Sequence, residues 1–409
     1  MLKVTKTMII NITPTSPAYI GGHAMRTEKS KGVHDEIEMT LMGLNVDGVP
    51  FLFVEADISN FNVEFVRLFK YYIVEYLHIP FDNIILSAGH SHSAPLFTTR
   101  NKDMPHDDKW RKEIFDKLIA GSKTIMNNEF YEVDHVTYST GESTGFYGNR
   151  NSKDKYGDTN IYVFEFKDKN DATISALVNM SCHSTVLSPE EYQLSGDLLA
   201  AVRRELIPYF DVIPMVCNGN AGDISNRLYR QNNDFNELKR VSAGIAKQVF
   251  EFTNKKTLDI KNPQIHSFTY KVEYDPDIES LKEKLDASEK KLEVTQDYDA
   301  RKWLISEING FKRKIRVGHV KLELDTTIIR MNDVEIVVLP CELVSAFGYQ
   351  IKKSSQAKAC FVWGYANGQN GYVVEASEFG GGHDGISTQF PKGKAEEYVS
   401  LIIQNMFSN

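Results

Sequence analysis

Several features that would classify a chain at a glance are scarce in this one. Its four cysteines, Cys182, Cys217, Cys341 and Cys360, are scattered over 409 residues and form no CxxC pair. That excludes a disulfide framework and leaves reduced thiols in a cytoplasm as the expectation. Long apolar runs are also missing. No stretch approaches the roughly 20 residues that span a bilayer, and the opening segment Met1 to Pro17, whose apolar piece is only Met8, Ile9 and Ile10, lacks the apolar core and cleavage site of an export signal. Positive charge is not in excess: the formal net charge is -8, and no lysine-rich stripe interleaves with aromatics, so nucleic acid is not expected as a partner. No Pro/Ser-rich linker divides the chain. A soluble, cytoplasmic protein forming a single domain over residues 1–409 is expected.

What remains is an ordinary globular composition, 42% hydrophobic and 25% charged, in which β-branched apolar runs alternate with helical patterns. The expected fold class is α/β with α+β character, mixed sheets flanked by helices. Strands are expected at Val49 to Asp57 and Asn83 to Ala88, with an amphipathic helix from Asn62 to Leu77 between them and another helix at Asp107 to Asn127. Turn chemistry at Asn170-Asp171 and Asn332-Asp333 predicts two hairpins, Ile161 to Phe166 with Ile174 to Met180 and Leu322 to Arg330 with Glu335 to Leu339. Asp197 reads as the N-cap of a helix at Leu198 to Ile207. A short strand at Val212 to Cys217, a helix at Asn236 to Phe252 and a final helix at Lys394 to Phe407 complete the pattern. Ile278 to Arg316 carries dense charge over spaced apolar residues, predicting two antiparallel helices with a break near Thr295 to Tyr298. This inserted arm is either a solvated hairpin packed on the core or a lid or dimer contact, so a homo-oligomer stays open.

Histidine placement carries the chemistry. Gly89-His90-Ser91-His92-Ser93 directly follows a predicted strand, and in extended backbone residues i and i+2 point the same way, so both imidazoles can enter one pocket. The alternative is a pair of hydrogen-bonded loop histidines. His183, in SCHST, follows the return strand of the first hairpin, and Glu342 follows that of the second; a satisfied core histidine and a helix cap are their plain readings. A carboxylate at a buried strand end needs a partner or a metal. Two imidazoles and an anionic oxygen suit zinc and leave room for an acidified water. The loop NGNAGDISN, with Asn220, Asp223 and Ser225, and the segment GYANGQNGYV, with Tyr365 and Tyr372, follow further strands, where open α/β sheets gather their sites.

These motifs, in this order, resemble the catalytic domain of the neutral/alkaline, non-lysosomal ceramidase family. SAGHSHSAP resembles that family's HTHSGP element, MSCHSTVL with the later Ser195-Gly196-Asp197 its second histidine element, and NGNAGDISN its N-x-GD-x-SPN segment. LPCELVSAFG and GYANGQNGYVV resemble its glutamate and tyrosine segments. The resemblance implies one zinc ion held by His90, His183, Glu342 and Tyr372, with His92 handling protons. It also implies that Arg150, in YGNRN, and Tyr372 stabilise an oxyanion while water attacks an amide of an N-acyl, lipid-like substrate. Ser225 is a further catalytic candidate, and Gly22, Arg150, Asn220 and His383 are candidate substrate contacts. After Tyr372 this chain reads VVEASEFGGGHDGIS, where the family has TTxEEY and a later tyrosine. Phe379 replaces one tyrosine, and His383 or Asp384 stands near the other, so altered substrate contacts are expected. The family's C-terminal immunoglobulin-like domain is not expected.

Rival readings stay in view. Gly141-Glu142-Ser143-Thr144-Gly145 fits GxSxG, but a nucleophile elbow needs a helix next, and FYGNRNSKD reads as a loop. A metal-dependent phosphoesterase or esterase could draw on Asp57, Asp197 and Asp223 for a second divalent ion. A zinc-containing binding protein without catalysis would use the same first ligands.

Overall fold

The computed structural model describes residues 1–99 and 103–407, without the side chains of residues 298, 299 and 302. Among the described residues the larger sheets are three, and each contains one parallel strand pair. The first has six strands and joins Val49–Ala56 to Ile84–Ala88 in parallel. The second has five and joins Thr173–Met180 to Pro214–Asn218. The third has four and joins Val334–Val338 to Ala359–Trp363. Between the strands of each pair the chain forms a helix: Val63–Leu77, Asp197–Phe210 and Ser345–Ser354, respectively. Parallel neighbours require such a crossover, and their strands are buried runs without alternation; IILSA, PMVCN and ACFVW are buried at every position.

The helices are amphipathic. Val63–Leu77 buries Phe65, Val66, Phe69 and Ile73 at helical spacing and ends where His78 turns left-handed, two residues before Pro80. One core lies between the sheets and takes side chains from all three, among them Phe53, Phe164, Met215, Ile336, Phe361 and Trp363. Three further cores fill the space between each sheet and its own helices. The expected class, mixed sheets flanked by helices, is the one observed.

Both predicted hairpins form, Asn160–Lys167 with Thr173–Met180 and Val320–Met331 with Val334–Val338. The expected helices at Asp107 to Asn127, Asn236 to Phe252 and Lys394 to Phe407 appear as Asp108–Asn127, Phe235–Phe250 and Lys394–Gln404. Asp197 is a correction. It is not an N-cap: it is the first helical residue, in the left-handed region (φ 53°), and Gly196 occupies the cap. Its carboxylate instead accepts the amides of Val186 and Leu187 at 3.1 and 3.4 Å, tying the loop after His183 to the helix. The charged segment forms two helices, Ile278–Val294 and Tyr298–Val317, capped by Asp277 and Asp297. They rise from the end of a long hairpin whose last paired residues are Tyr274 and Val320. Among the described residues no helix is long and apolar enough to cross a membrane.

Trp363 is fully buried where sheets meet, with its ring 5.3 Å from Phe53 of the first sheet. Trp363→Ala should therefore lower the unfolding free energy by about 3–5 kcal/mol, read from the midpoint of urea denaturation. A loss below about 1 kcal/mol would mean that the inter-sheet core does not hold the layers together.

Candidate metal centre

The carboxyl ends of the parallel strands meet and are laced together by backbone hydrogen bonds. The Gly89 amide donates to Ala56 and that of Ala88 to Tyr365 (2.8 and 3.2 Å), and those of Gly219 and Gly364 donate to Met180 and Asn218 (2.9 and 3.0 Å). The approach is close enough that a Cβ on Gly364 would lie 2.2 Å from the Gly219 carbonyl oxygen. The segments leaving this junction carry His90, His183, Glu342 and Tyr372. Glu342 and Tyr372 are register partners in a two-stranded parallel ribbon, and paired residues of a ribbon project to the same side.

The route by which His90 and His92 meet differs from the alternation expected of an extended strand. The strand ends at Ala88, and His90 sits in the left-handed region with φ 59°, a costly conformation that clusters at functional sites. Ser91 then bridges to Ser184, and the His92 amide donates to the Ser184 carbonyl at 3.0 Å. The two imidazoles end with their Nε2 atoms 3.2 Å apart.

Two overlapping donor sets result. His90, His92 and His183 bring ligand atoms within 4.8 Å of one another, a group able to hold a metal ion. Tighter contacts link His90 Nε2 and His183 Nε2 to Glu342 Oε2, at 3.3 and 3.1 Å, and His183 Nε2 to the Tyr372 hydroxyl at 3.3 Å. Donor atoms that share one zinc ion at about 2.0–2.2 Å lie roughly 3–3.5 Å apart, which these spacings match.

Proton positions argue the same way. His90 Nδ1 donates to the Ser59 carbonyl at 2.7 Å and His183 Nδ1 to the Ala221 carbonyl at 2.7 Å, a tautomer that turns the Nε2 lone pair of each ring inward. Such locked tautomers are the usual support of metal-ligating histidines. Burial, and after it Arg150, lowers the His183 pKa to about 4, so that ring carries no second proton at neutral pH. Burial alone pushes the Glu342 carboxyl up; it is held well below the usual carboxylate range when positive charge lies between it and His90 and His183, a proton on those rings or a metal ion in its place. Gln369 donates to its Oε1 at 2.7 Å, while Oε2 has no hydrogen-bond partner among the described residues. Two imidazole lone pairs and an orphaned carboxylate oxygen this close repel one another unless a cation lies between them. The donor set fits a divalent ion.

His92 lacks such a lock: its Nδ1 is buried with no partner among the described residues. Burial, and after it His90, His23, His183 and Arg150, hold its pKa well below the ordinary imidazole value. Gly22, at φ 87°, fits only as glycine, since a Cβ would meet the His92 ring at 2.3 Å. Arg150 is paired with Asp384, donates to the Gly222 carbonyl at 2.8 Å and places its guanidinium 5.5 Å from the centre of the Tyr372 ring. Asn151 donates to the other oxygen of Asp384 at 3.0 Å.

A cavity of about 820 Å³, counting the part open to solvent, lies against this group. Gly22, His92, Arg150, Ser225 and His383 line it, as do His23, Arg227, Arg230 and, from the Tyr298–Val317 helix, Trp303 and Ser306. His383 bonds Ser306 at 2.9 Å, and burial lowers its pKa to about 4. Asn220 does not line the cavity; its amide packs under Gly348, where a Cβ would sit 2.2 Å away. The three aspartates considered for a second ion are each held by protein donors. Asp57 accepts two bonds from Arg203, at 2.8 and 2.7 Å, Asp197 accepts the amides named above, and Asp223 accepts from Ser345 and Asn149. Ser143 bonds Gln248 at 2.8 Å, and the chain after it runs through a loop to Gly148–Asn149, without the helix that an elbow requires. Gln369, Asp384, Arg227, Trp303 and Ser306 were not picked as site residues from sequence. Only Asp384 carried a signal, its place in the altered segment after Tyr372.

No protein-family description matches this chain, and no curated protein does. Solved structures do. The neutral ceramidase from Pseudomonas aeruginosa superposes with a TM-score of 0.76 at 15% identity, over 99% of this chain and 74% of the other. A ceramidase complexed with C2 gives 0.75 at 15% identity with the same coverage. The chain has the fold of these neutral ceramidase structures along nearly its whole length.

Proposed function

We propose that this chain is a zinc-dependent hydrolase that cleaves a linear amide in an N-acyl, lipid-like compound. One observation carries the reading: His90 Nε2 and His183 Nε2 lie 3.3 and 3.1 Å from Glu342 Oε2, an oxygen with no hydrogen-bond partner among the described residues, and the Tyr372 hydroxyl lies 3.3 Å from His183 Nε2. Those four are the ligand set. Two nitrogens and two oxygens without sulfur suit zinc at a catalytic rather than a structural site. Both solved structures that share the fold are named ceramidases, which supports an amide as the scissile bond.

Zinc held there would supply Lewis-acid polarisation of the carbonyl and an acidified water. The rest falls to the chain. His92, kept neutral, accepts the proton of the attacking water and returns it to the departing amine. Arg150, braced by Asp384, and the Tyr372 hydroxyl donate to the oxyanion that develops on the carbonyl oxygen. Gly22 leaves room for His92, and Ser225 and His383 bound the space beside it. The helices over 278–316 act as an inserted arm of one catalytic unit, contributing Trp303 and Ser306 to the wall.

Metal analysis of the purified protein should find about one zinc per chain. His183→Ala and Glu342→Ala should each lose it, whereas His92→Ala should keep it and lose about 10²–10⁴-fold in kcat. Loss of zinc from His92→Ala with retention in His183→Ala would overturn the ligand assignment. On an N-acyl amide, Arg150→Ala should lower kcat by about 10²–10³-fold with little change in KM. A rise in KM alone would make Arg150 a ground-state contact instead.

A further inference from the structure

His92 differs from the neighbouring imidazoles in how it is held. His90 and His183 are locked through Nδ1 to backbone carbonyls, whereas the His92 Nδ1 has no hydrogen-bond partner among the described residues. Its ring is aimed instead through its own backbone and the surfaces packed against it. Both polar groups of that backbone are tied down. The amide donates to the Ser184 carbonyl at 3.0 Å, and the carbonyl accepts from Arg26 Nη1.

Arg26 does more than hold this one oxygen. It donates from Nη2 to the Ser188 carbonyl at 2.7 Å and from Nε to the Pro189 carbonyl at 3.1 Å, so one guanidinium joins the His90 to Ser93 segment to the loop that follows His183. The side chain is 0% exposed. Burial lowers its pKa to about 10, against the pull of Asp197, and the group stays charged at neutral pH. A buried cation whose close partners among the described residues are neutral oxygens is costly, and such departures from local rules belong to functional positions.

The segment that carries Arg26 also forms the surroundings of the His92 ring. The Arg26 amide donates to the His23 carbonyl at 3.3 Å, closing a turn. The His23 ring meets the His92 ring edge-on with centroids 5.2 Å apart, and Gly22 passes so close that a Cβ would strike the ring. Removing the guanidinium would release the His92 carbonyl and this turn together.

We propose that Arg26 is the positioning residue of the proton shuttle: by holding the His92 carbonyl and the turn that carries Gly22 and His23, it sets the His92 Nε2 beside the metal centre. Arg26 itself exchanges no proton with substrate. Its effect on turnover rests on the amide-hydrolase reading above; its effect on the aim of the ring does not.

The test uses the full zinc-loaded chain, the variants Arg26→Met and Arg26→Lys, and N-dodecanoylethanolamine as the amide, with amine release as the measure of turnover. Crystal structures of the variants read the ring directly. In Arg26→Met the His92 Nε2 should move by about 1 Å or more, with His90, His183 and Glu342 in place and zinc retained. Turnover should follow: kcat falls about 10²-fold with KM little changed, and Arg26→Lys, whose ammonium lacks the planar fork, recovers part of the loss. In a His92→Ala background Arg26→Met should cost no more than about 2-fold, because the shuttle through which it acts is gone. An unmoved His92 ring, loss of zinc, or an equal fall in kcat in both backgrounds overturns the proposal. A displaced ring in Arg26→Met, with no amine released by the unsubstituted protein, retains the positioning role and sinks the amide-hydrolase reading instead. Should Arg26→Met not fold, Arg26→Lys decides by the same ring position and the same pair of backgrounds.

Discussion

The site depends on the junction at which three parallel strand pairs end against one another. Backbone bonds from Ala88 to Tyr365, from Gly219 to Met180 and from Gly364 to Asn218 bring the strand ends within reach. The glycines are needed because a side chain at Gly364 would strike the carbonyl of Gly219. Each sheet then supplies its donor from the segment that leaves the junction. A residue three or four positions beyond a strand would ordinarily wander with its loop; here Glu342 is held by its ribbon with Tyr372, and His183 by bonds to Ala221 and Ile224. The precision of the donor set is a property of the backbone lacing and of the inter-sheet core beneath it, where Trp363 and Phe361 pack.

Electrostatics divides the site into two regions. At the junction, buried lone pairs crowd together and call for a cation. The cavity beyond is lined by Arg150, Arg227 and Arg230 and, among the described residues, by no carboxylate. Arg150 belongs to both, because Asp384 balances its charge while its guanidinium stays over Tyr372.

Much of this was legible in the sequence because the signals are local. Buried runs such as IILSA, turn pairs such as Asn332-Asp333 and the apolar spacing of Phe65, Val66 and Phe69 act within a few residues. His90, His183, Glu342 and Tyr372 could be nominated because each follows a strand, although their convergence rests on pairing between segments up to 282 residues apart and no local signal contains it. Asp197 misled because its side chain suits a cap, while its left-handed backbone serves a distant loop. Pro263–Tyr274 alternates plainly from Phe268 to Tyr274 and was there to be read. Trp303, Ser306 and Arg227 were not: a tryptophan on a charged helix and an arginine after a loop gain meaning only when the Tyr298–Val317 helix lies over the cavity. Gln369 was hidden among glycines and asparagines, and its role appears only in its bond to Glu342.

The central claim is that the junction holds one ion through His90, His183, Glu342 and Tyr372. Anomalous diffraction at the zinc absorption edge on crystals of the zinc-loaded protein tests it most directly. The account predicts a single strong peak within about 2.0–2.2 Å of two imidazole Nε2 atoms and the Glu342 carboxylate, with the Tyr372 oxygen completing the set and no sulfur ligand. A peak shared by His90 and His92 without His183, or one bound by Cys182 or Cys341, would contradict it.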